Sequence, residues 1–150
     1  MRRRDQWIEW MRAVLREDET AAYAVELLDE QLRRDPSSLR HRGLEYQDYQ
    51  AFQQHHQDTY LIRLFAVFEG GLREAWEKAL GRDTHPKMAD LLQAVAARRK
   101  STDDVLSNAD RVRNYRNGLV HVSTESPETF TLEEARRHLC RFFSQLPPDW

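Results

Sequence analysis

The sequence predicts an all-α fold, an antiparallel bundle of about five helices, and three observations carry that prediction. Gly and Pro number five each in 150 residues, which leaves little punctuation for hairpins. Apolar residues recur at every third or fourth position over most of the chain, the spacing of one helix face. No stretch alternates with period two over the length of a strand; Leu119–Ser123 comes nearest and is too short.

In the first forty residues Trp7, Met11, Val14 and Leu15 fall at helical intervals. Ala21, Val25, Leu28 and Leu32 do so again before Pro36-Ser37-Ser38 interrupts. The pattern predicts two helices there, near 5–16 and 19–34. The strongest pattern is central. Tyr60, Leu64, Phe68, Leu72, Trp76 and Leu80 fall at every fourth position, with Leu61, Phe65 and Ala79 beside them. This broad apolar stripe is core on a long helix, continued upstream through Phe52, Tyr49 and Tyr46 to Glu45 and ended by Gly81 as a C-cap. Gly70-Gly71 inside it costs ~1 kcal/mol per Gly relative to Ala, so either a kink or a close helix contact is expected.

Pro86 suits the first turn of the next helix, with Met88, Leu91, Leu92 and Val95 facing inward. Arg98-Arg99-Lys100 complements the negative end of that helix. Ser101 as N-cap, with Asp104 three residues on, reads as a capping box opening a helix over 103–121. A loop containing Ser126-Pro127 follows. Thr131 with Glu134 is a second capping box, starting a helix with Ala135, Leu139, Phe142, Phe143 and Leu146, stopped by Pro147-Pro148. Short connections favour antiparallel neighbours. The whole chain, 1–150, reads as one domain, with N-terminal helices in 1–40 and a core bundle over 45–146.

Composition excludes several classes. The low Gly and Pro content rules out disordered and collagen-like chains. A single Cys excludes an intrachain disulfide and a four-Cys zinc module. No apolar run is long enough to span a membrane. Met1-Arg2-Arg3-Arg4 opens like a signal peptide, but Glu9 and Arg12 fall where its apolar stretch belongs, so a cytoplasmic protein is expected. With 23 basic and 25 acidic residues the net charge is −2, which excludes a general sponge for polyanions but not a local basic site. Between 98 and 121, six basic residues face three acidic ones.

The segment Arg111–His121 holds three Arg, two Asn and one His without an acid. At ~100° per residue, with Arg113 as zero, Asn117 falls near ~40°, His121 near ~80°, Asn114 near ~100° and Arg116 near ~300°. Val105, Val112, Tyr115 and Leu119 fall near ~200–280°, so one face is buried and the other presents Arg, Asn and His. Arg offers a planar fork of donors for phosphate oxygens, and histidine moves protons near neutrality. Gly118 thins the helix wall beside them. Asn117 and His121, four apart, are direct neighbours. Arg116 and His121 are five apart and converge only on a substrate lying across the helix end, where Val122-Ser123-Thr124 begins a loop. A solvated basic face with a surface histidine is the alternative reading of the same residues.

Arg116-Asn117-Gly118-Leu119-Val120-His121 resembles the signature of the HEPN superfamily: an Arg, then a polar residue, with four to six residues before a His. Its place at the end of the penultimate helix of a small bundle is similar too. So is the upstream Tyr60–Glu69 stretch, which resembles the family's aromatic-rich second core helix, and the likeness spans residues 45–146. The resemblance implies a metal-independent endoribonuclease, a toxin or antiviral defence component, that needs no cofactor. It implies RNA as substrate, a homodimer with a composite active site, and control by an antitoxin or other regulatory protein. Carried onto this chain, His121 is the general acid or base, Arg116 holds the scissile phosphate and Asn117 orients one of them. The RNA 2′-hydroxyl attacks the adjacent phosphate, leaving a 2′,3′-cyclic phosphate and a 5′-hydroxyl. Some members carry a Tyr two residues beyond the His as a modification target; Ser123 stands there instead, so that mode of control is not expected. Other members have lost activity, so a non-catalytic module binding a partner protein or nucleotide is the alternative.

Further residues are candidates for substrate contact. Arg113 and Asn114 would widen the phosphate contact, and Arg63 either reaches substrate or is solvated. Glu69 either supports the site or is paired with an Arg at the edge of the core. His55-His56 read as an exposed face rather than a metal site, and His138 and Cys140 have no zinc spacing. Cys140 reads as a small buried hydrophobe. Trp7 and Trp10, near Arg2–Arg4, either stack on bases or anchor their helix to the core or a partner.

Overall fold

Buried apolar residues at three- and four-residue spacing place five α-helices among the described residues of the computed structural model, 3–121 and 128–150. In order they are α1 (Arg4–Arg34), α2 (Tyr46–Leu80), α3 (Met88–Arg99), α4 (Asp103–Val120) and α5 (Leu132–Phe143). A 3₁₀ turn, Arg40–Arg42, joins α1 to α2. No strand occurs among the described residues, only an isolated bridge between Arg3 and Asp149. No helix among them is long and apolar enough to cross a membrane.

The N-terminal region is one helix, not the two expected near 5–16 and 19–34. Neither Gly nor Pro interrupts it, and Trp7, Met11, Val14, Asp18, Ala21, Val25, Leu28 and Leu32 hold a continuous alternation of four and three residues. That is a seam against a partner helix. The charged run at its middle looks like a break only in isolation. Arg16 pairs with Glu9 at 2.8 Å, Glu17 pairs with Arg63 of α2, and Asp18 Oδ1 lies 3.7 Å from His56 Nε2. His56 is therefore turned against α1, its side chain 16% exposed, and only His55 occupies the exposed face expected for both. Burial holds the Asp18 carboxyl above its ordinary value, opposed by the His56 ring.

α2 returns antiparallel to α1. Trp7 meets Gly70 and Gly71 at one end, while the Tyr49 hydroxyl donates to Asp29 at 3.1 Å towards the other. The outer end of this hairpin has a small core of its own, Leu32, Leu39 and Tyr49. In the main core Leu64, Phe65, Phe68 and Leu72 of α2 meet Leu91 and Leu92, Ala109 and Val112, and Leu139, Phe142 and Phe143. Gly70-Gly71 marks a close contact of three segments: Trp7 of α1 and Phe143 of α5 both press on α2 there.

Three boundaries shift by local hydrogen bonding. The N-cap of α3 is Lys87, so Pro86 precedes the helix, and its carbonyl accepts from Arg73 Nη1 at 3.0 Å. The N-cap of α4 is Thr102 rather than Ser101. Lys100 closes α3 with a left-handed φ of 52°, and the Ser101 N–H donates to the Ala96 carbonyl at 2.9 Å. Ser101 thus still belongs to the end of α3, while its hydroxyl bonds Gln145. α5 stops at Phe143, and Leu146 is buried in the tail beyond it. Arg4 holds that tail by donating to the Ser144 and Leu146 carbonyls, both at 3.0 Å.

The capping box at Thr131 forms as expected. The Glu134 N–H donates to the Thr131 hydroxyl at 3.2 Å, and Glu134 Oε2 accepts from the Thr131 N–H at 2.9 Å. Thr131→Ala is expected to cost about 1 kcal/mol, read from urea unfolding followed by circular dichroism. The Thr131 backbone N–H, then its hydroxyl, hold Glu134 below the ordinary value of 4.5. The charged cap therefore contributes fully above pH 4.5 and is lost as pH falls through the depressed value. The stability gap between wild type and Glu134→Ala should close on acidification; a gap unchanged in acid would show that the carboxylate charge contributes nothing.

Candidate functional site

The second half of α4 is pinned on α2 by two neighbouring residues. Tyr115 packs on Phe130, with ring centroids 5.9 Å apart, and its hydroxyl lies near the Asp58 carboxylate of α2. Burial, then the charge of nearby Asp58, pushes the phenol above its ordinary value. Arg116 lies half-buried with its guanidinium over the Phe65 ring, 5.5 Å from the centroid. The wheel position of Arg116, next to Val105, explains this: it stands at the edge of the buried face rather than on the open one.

Asn117 touches both ends of the motif. Its side-chain oxygen accepts from Arg116 Nη1 at 3.0 Å, and its backbone carbonyl accepts from the His121 N–H at 2.9 Å. His121 is the C-cap of α4, exposed, with extended dihedrals of −113° and 136°. The chain thus leaves the helix at the histidine. Arg116 has no carboxylate partner among the described residues, and its Nε is buried without an acceptor. A stacked, oriented guanidinium without a carboxylate partner retains donor capacity for an anion.

The other arginines of the region are committed. Arg113 Nε donates to Asp110 at 2.7 Å and its Nη2 to Asn114 at 2.8 Å, closing a set of three within α4. Arg111 is held by Glu128, its Nε at 2.7 Å, and lies over Phe130. Asp104 pairs with Arg141 at 3.1 Å. Glu128 therefore neutralises part of the local positive excess from outside α4, whereas Arg141 takes up one of its acids. Glu69 accepts from Arg73 at 2.7 and 2.9 Å, the paired arrangement of the two expected for it. Arg63 pairs with Glu17 and lies over Tyr60, 5.8 Å from its centroid. The structure so joins Arg116, Asn117 and His121, keeps Arg113 and Asn114 together beside Asp110, and engages Glu69 in an ion pair within α2 and Arg63 in one with α1.

Trp7 is buried in the core and so anchors α1, with Trp10 edge-on to it at 4.8 Å. Cys140 is half-buried, and burial pushes its thiol above the ordinary value. Ser123, the Val122–Thr124 segment, the Ser126-Pro127 loop and Arg2 lie outside the described residues. Sequence reasoning missed Phe65 and Asp58 as supports of α4, and no local signal links either to it. It also missed Glu77, Asp83 and His85, which bring one ligand atom each within 4.8 Å of one another. The 3.2 Å contact between exposed His85 and Asp83 accounts for part of that cluster. No family model matches the chain, and no curated protein or solved structure is significantly similar to it.

Proposed function

We propose that this chain is a metal-independent endoribonuclease of the HEPN type, cleaving RNA by attack of its own 2′-hydroxyl. One observation carries the reading: Arg116, half-buried and without a carboxylate partner among the described residues, is oriented by Asn117, which also anchors the backbone of exposed His121. Arg116 holds the scissile phosphate and offsets charge in the transition state. His121 takes or gives the proton. The 2′-oxygen bonds to phosphorus as the bond to the 5′-oxygen breaks, leaving a 2′,3′-cyclic phosphate and a 5′-hydroxyl. Arg113 and Asn114, one turn back, extend the contact with the RNA backbone by exchanging their bonds with each other and Asp110 for phosphate oxygens.

The reading extends to a cytoplasmic homodimer in which each copy completes the other's site, acting as a toxin or defence component under an antitoxin or other regulator. Its support is geometric: Arg116 is packed against α2, whereas His121 lies at the open end of α4. The test is cleavage of an RNA panel in EDTA by wild type, Arg116→Ala and His121→Ala. Cleavage by wild type alone is expected. Equal cleavage by all three, or strict dependence on Mg²⁺, contradicts the proposal. Intact RNA with every protein would leave the non-catalytic binding module in its place.

A further inference from the structure

At the opposite end of α4 from His121 lies a cavity of about 450 Å³ between α2, α3 and the C-terminal tail. Two bonds fix its place. Ser101, just before α4, bonds the Gln145 side chain, and Arg99 Nε, on the cavity's edge, donates to the Gln145 carbonyl at 2.8 Å. The 18 residues of α4 span ~27 Å, so this cavity is separate from the motif. We propose that it binds an organic anion with an apolar body, of the class of medium-chain carboxylates.

The lining supplies both halves of such a ligand's chemistry. Trp76, Val95, Leu146 and Trp150 form an apolar wall. Lys78 from the last turn of α2, with Arg98 and Arg99 from the last turn of α3, bring three cations to the same cavity. Lys78 and Arg98 have no ion-pair partner among the described residues. The one acidic side chain of the lining, Asp149, is already directed at Arg3, with Oδ1 3.4 Å from Nε. The side chains of the lining therefore carry an excess of positive charge, next to a wall that favours a hydrocarbon or aromatic body. Trp150 is 9% exposed, so its indole is a fixed part of the apolar wall. The volume lies within the ~300–1,000 Å³ typical of small-molecule sites. An inorganic anion would leave the apolar wall unused, and a neutral amphiphile would leave the cations unused.

The test titrates decanoate, below its micellar concentration, into the full chain and follows the indole N–H resonances of Trp76 and Trp150. Decanol and inorganic phosphate serve as comparison ligands. Decanoate should bind saturably and at least about tenfold more tightly than decanol, the scale of one charge-assisted contact. The double variant Lys78→Ala/Arg98→Ala should lose that preference, while Ala79→Trp, which narrows the cavity, should weaken both ligands. Lys78, Ala79 and Arg98 are exposed, so the fold is retained, and thermal unfolding checks it. Equal binding of decanoate and decanol, an undiminished preference in the double variant, or displacement of decanoate by equimolar inorganic phosphate overturns the proposal. None of these outcomes depends on RNA cleavage.

Discussion

Gly71→Ala is expected to destabilise the fold by about 1–2 kcal/mol, although alanine is the better helix former. A Cβ at this position would stand 2.6 Å from Phe143 Cζ and 2.8 Å from Trp7 Cδ2. Both rings are buried, at 0% and 6% exposure, and each is held by further contacts, so neither has room to retreat. Overpacking of this kind costs ~1–3 kcal/mol, and the ~1 kcal/mol gained in helix propensity offsets only part of it. Gly70→Ala is the internal control. Its Cβ would meet the far edge of Trp7 at 3.3 Å, a much milder contact than those at Gly71, so propensity and crowding should nearly cancel. Urea unfolding of the two variants measures the difference. A Gly71→Ala protein as stable as wild type would mean that α1 and α5 do not approach α2 this closely.

His121→Ala is expected to lower RNA cleavage by ~10²–10⁴-fold, the contribution of one placed proton donor or acceptor. The exposed position of His121 predicts unchanged thermal stability, which separates a chemical role from a structural one. Arg116→Lys is the sharper variant. Lysine keeps the charge but lacks the fork that reaches Asn117 and the flat face that lies over Phe65. Cleavage should therefore fall nearly as far as in Arg116→Ala. Cleavage at the wild-type rate would mean that the site needs only a positive charge. Asn117→Ala should lie between wild type and these variants, because it loosens Arg116 without removing it.

Elements governed by local spacing were readable in the sequence. The stripe from Tyr60 to Leu80 is a helix, Gly81 closes it with a φ of 65°, and Thr131 caps α5. The errors fall where a distant partner decides. Arg16–Glu19 resembles a linker because the residues that satisfy it include Arg63 and His56, which only the folded hairpin brings close. Ser101 has the chemistry of an N-cap, but the closing turn of α3 claims it first. Leu146 keeps helical spacing yet is buried by a tail that Arg4 fastens.

The candidate site divides in the same way. Asn117 and His121 are four apart, so their link through the last turn of α4 follows from helix geometry alone. The pairs Asp110–Arg113 and Glu69–Arg73 also sit at helical spacing and were legible in principle. The stacking of Arg116 on Phe65 and the approach of Asp58 to Tyr115 depend on how α4 crosses α2, which no local pattern encodes.

The most direct test of the central claim uses one oligoribonucleotide cut by the wild-type protein, offered in EDTA in native and fully 2′-O-methylated forms. The native form should be cut to 2′,3′-cyclic phosphate and 5′-hydroxyl ends, and the methylated form should stay intact, because its 2′-oxygen can no longer attack. Cleavage of both forms, or cleavage that appears only when Mg²⁺ is restored, would contradict the account.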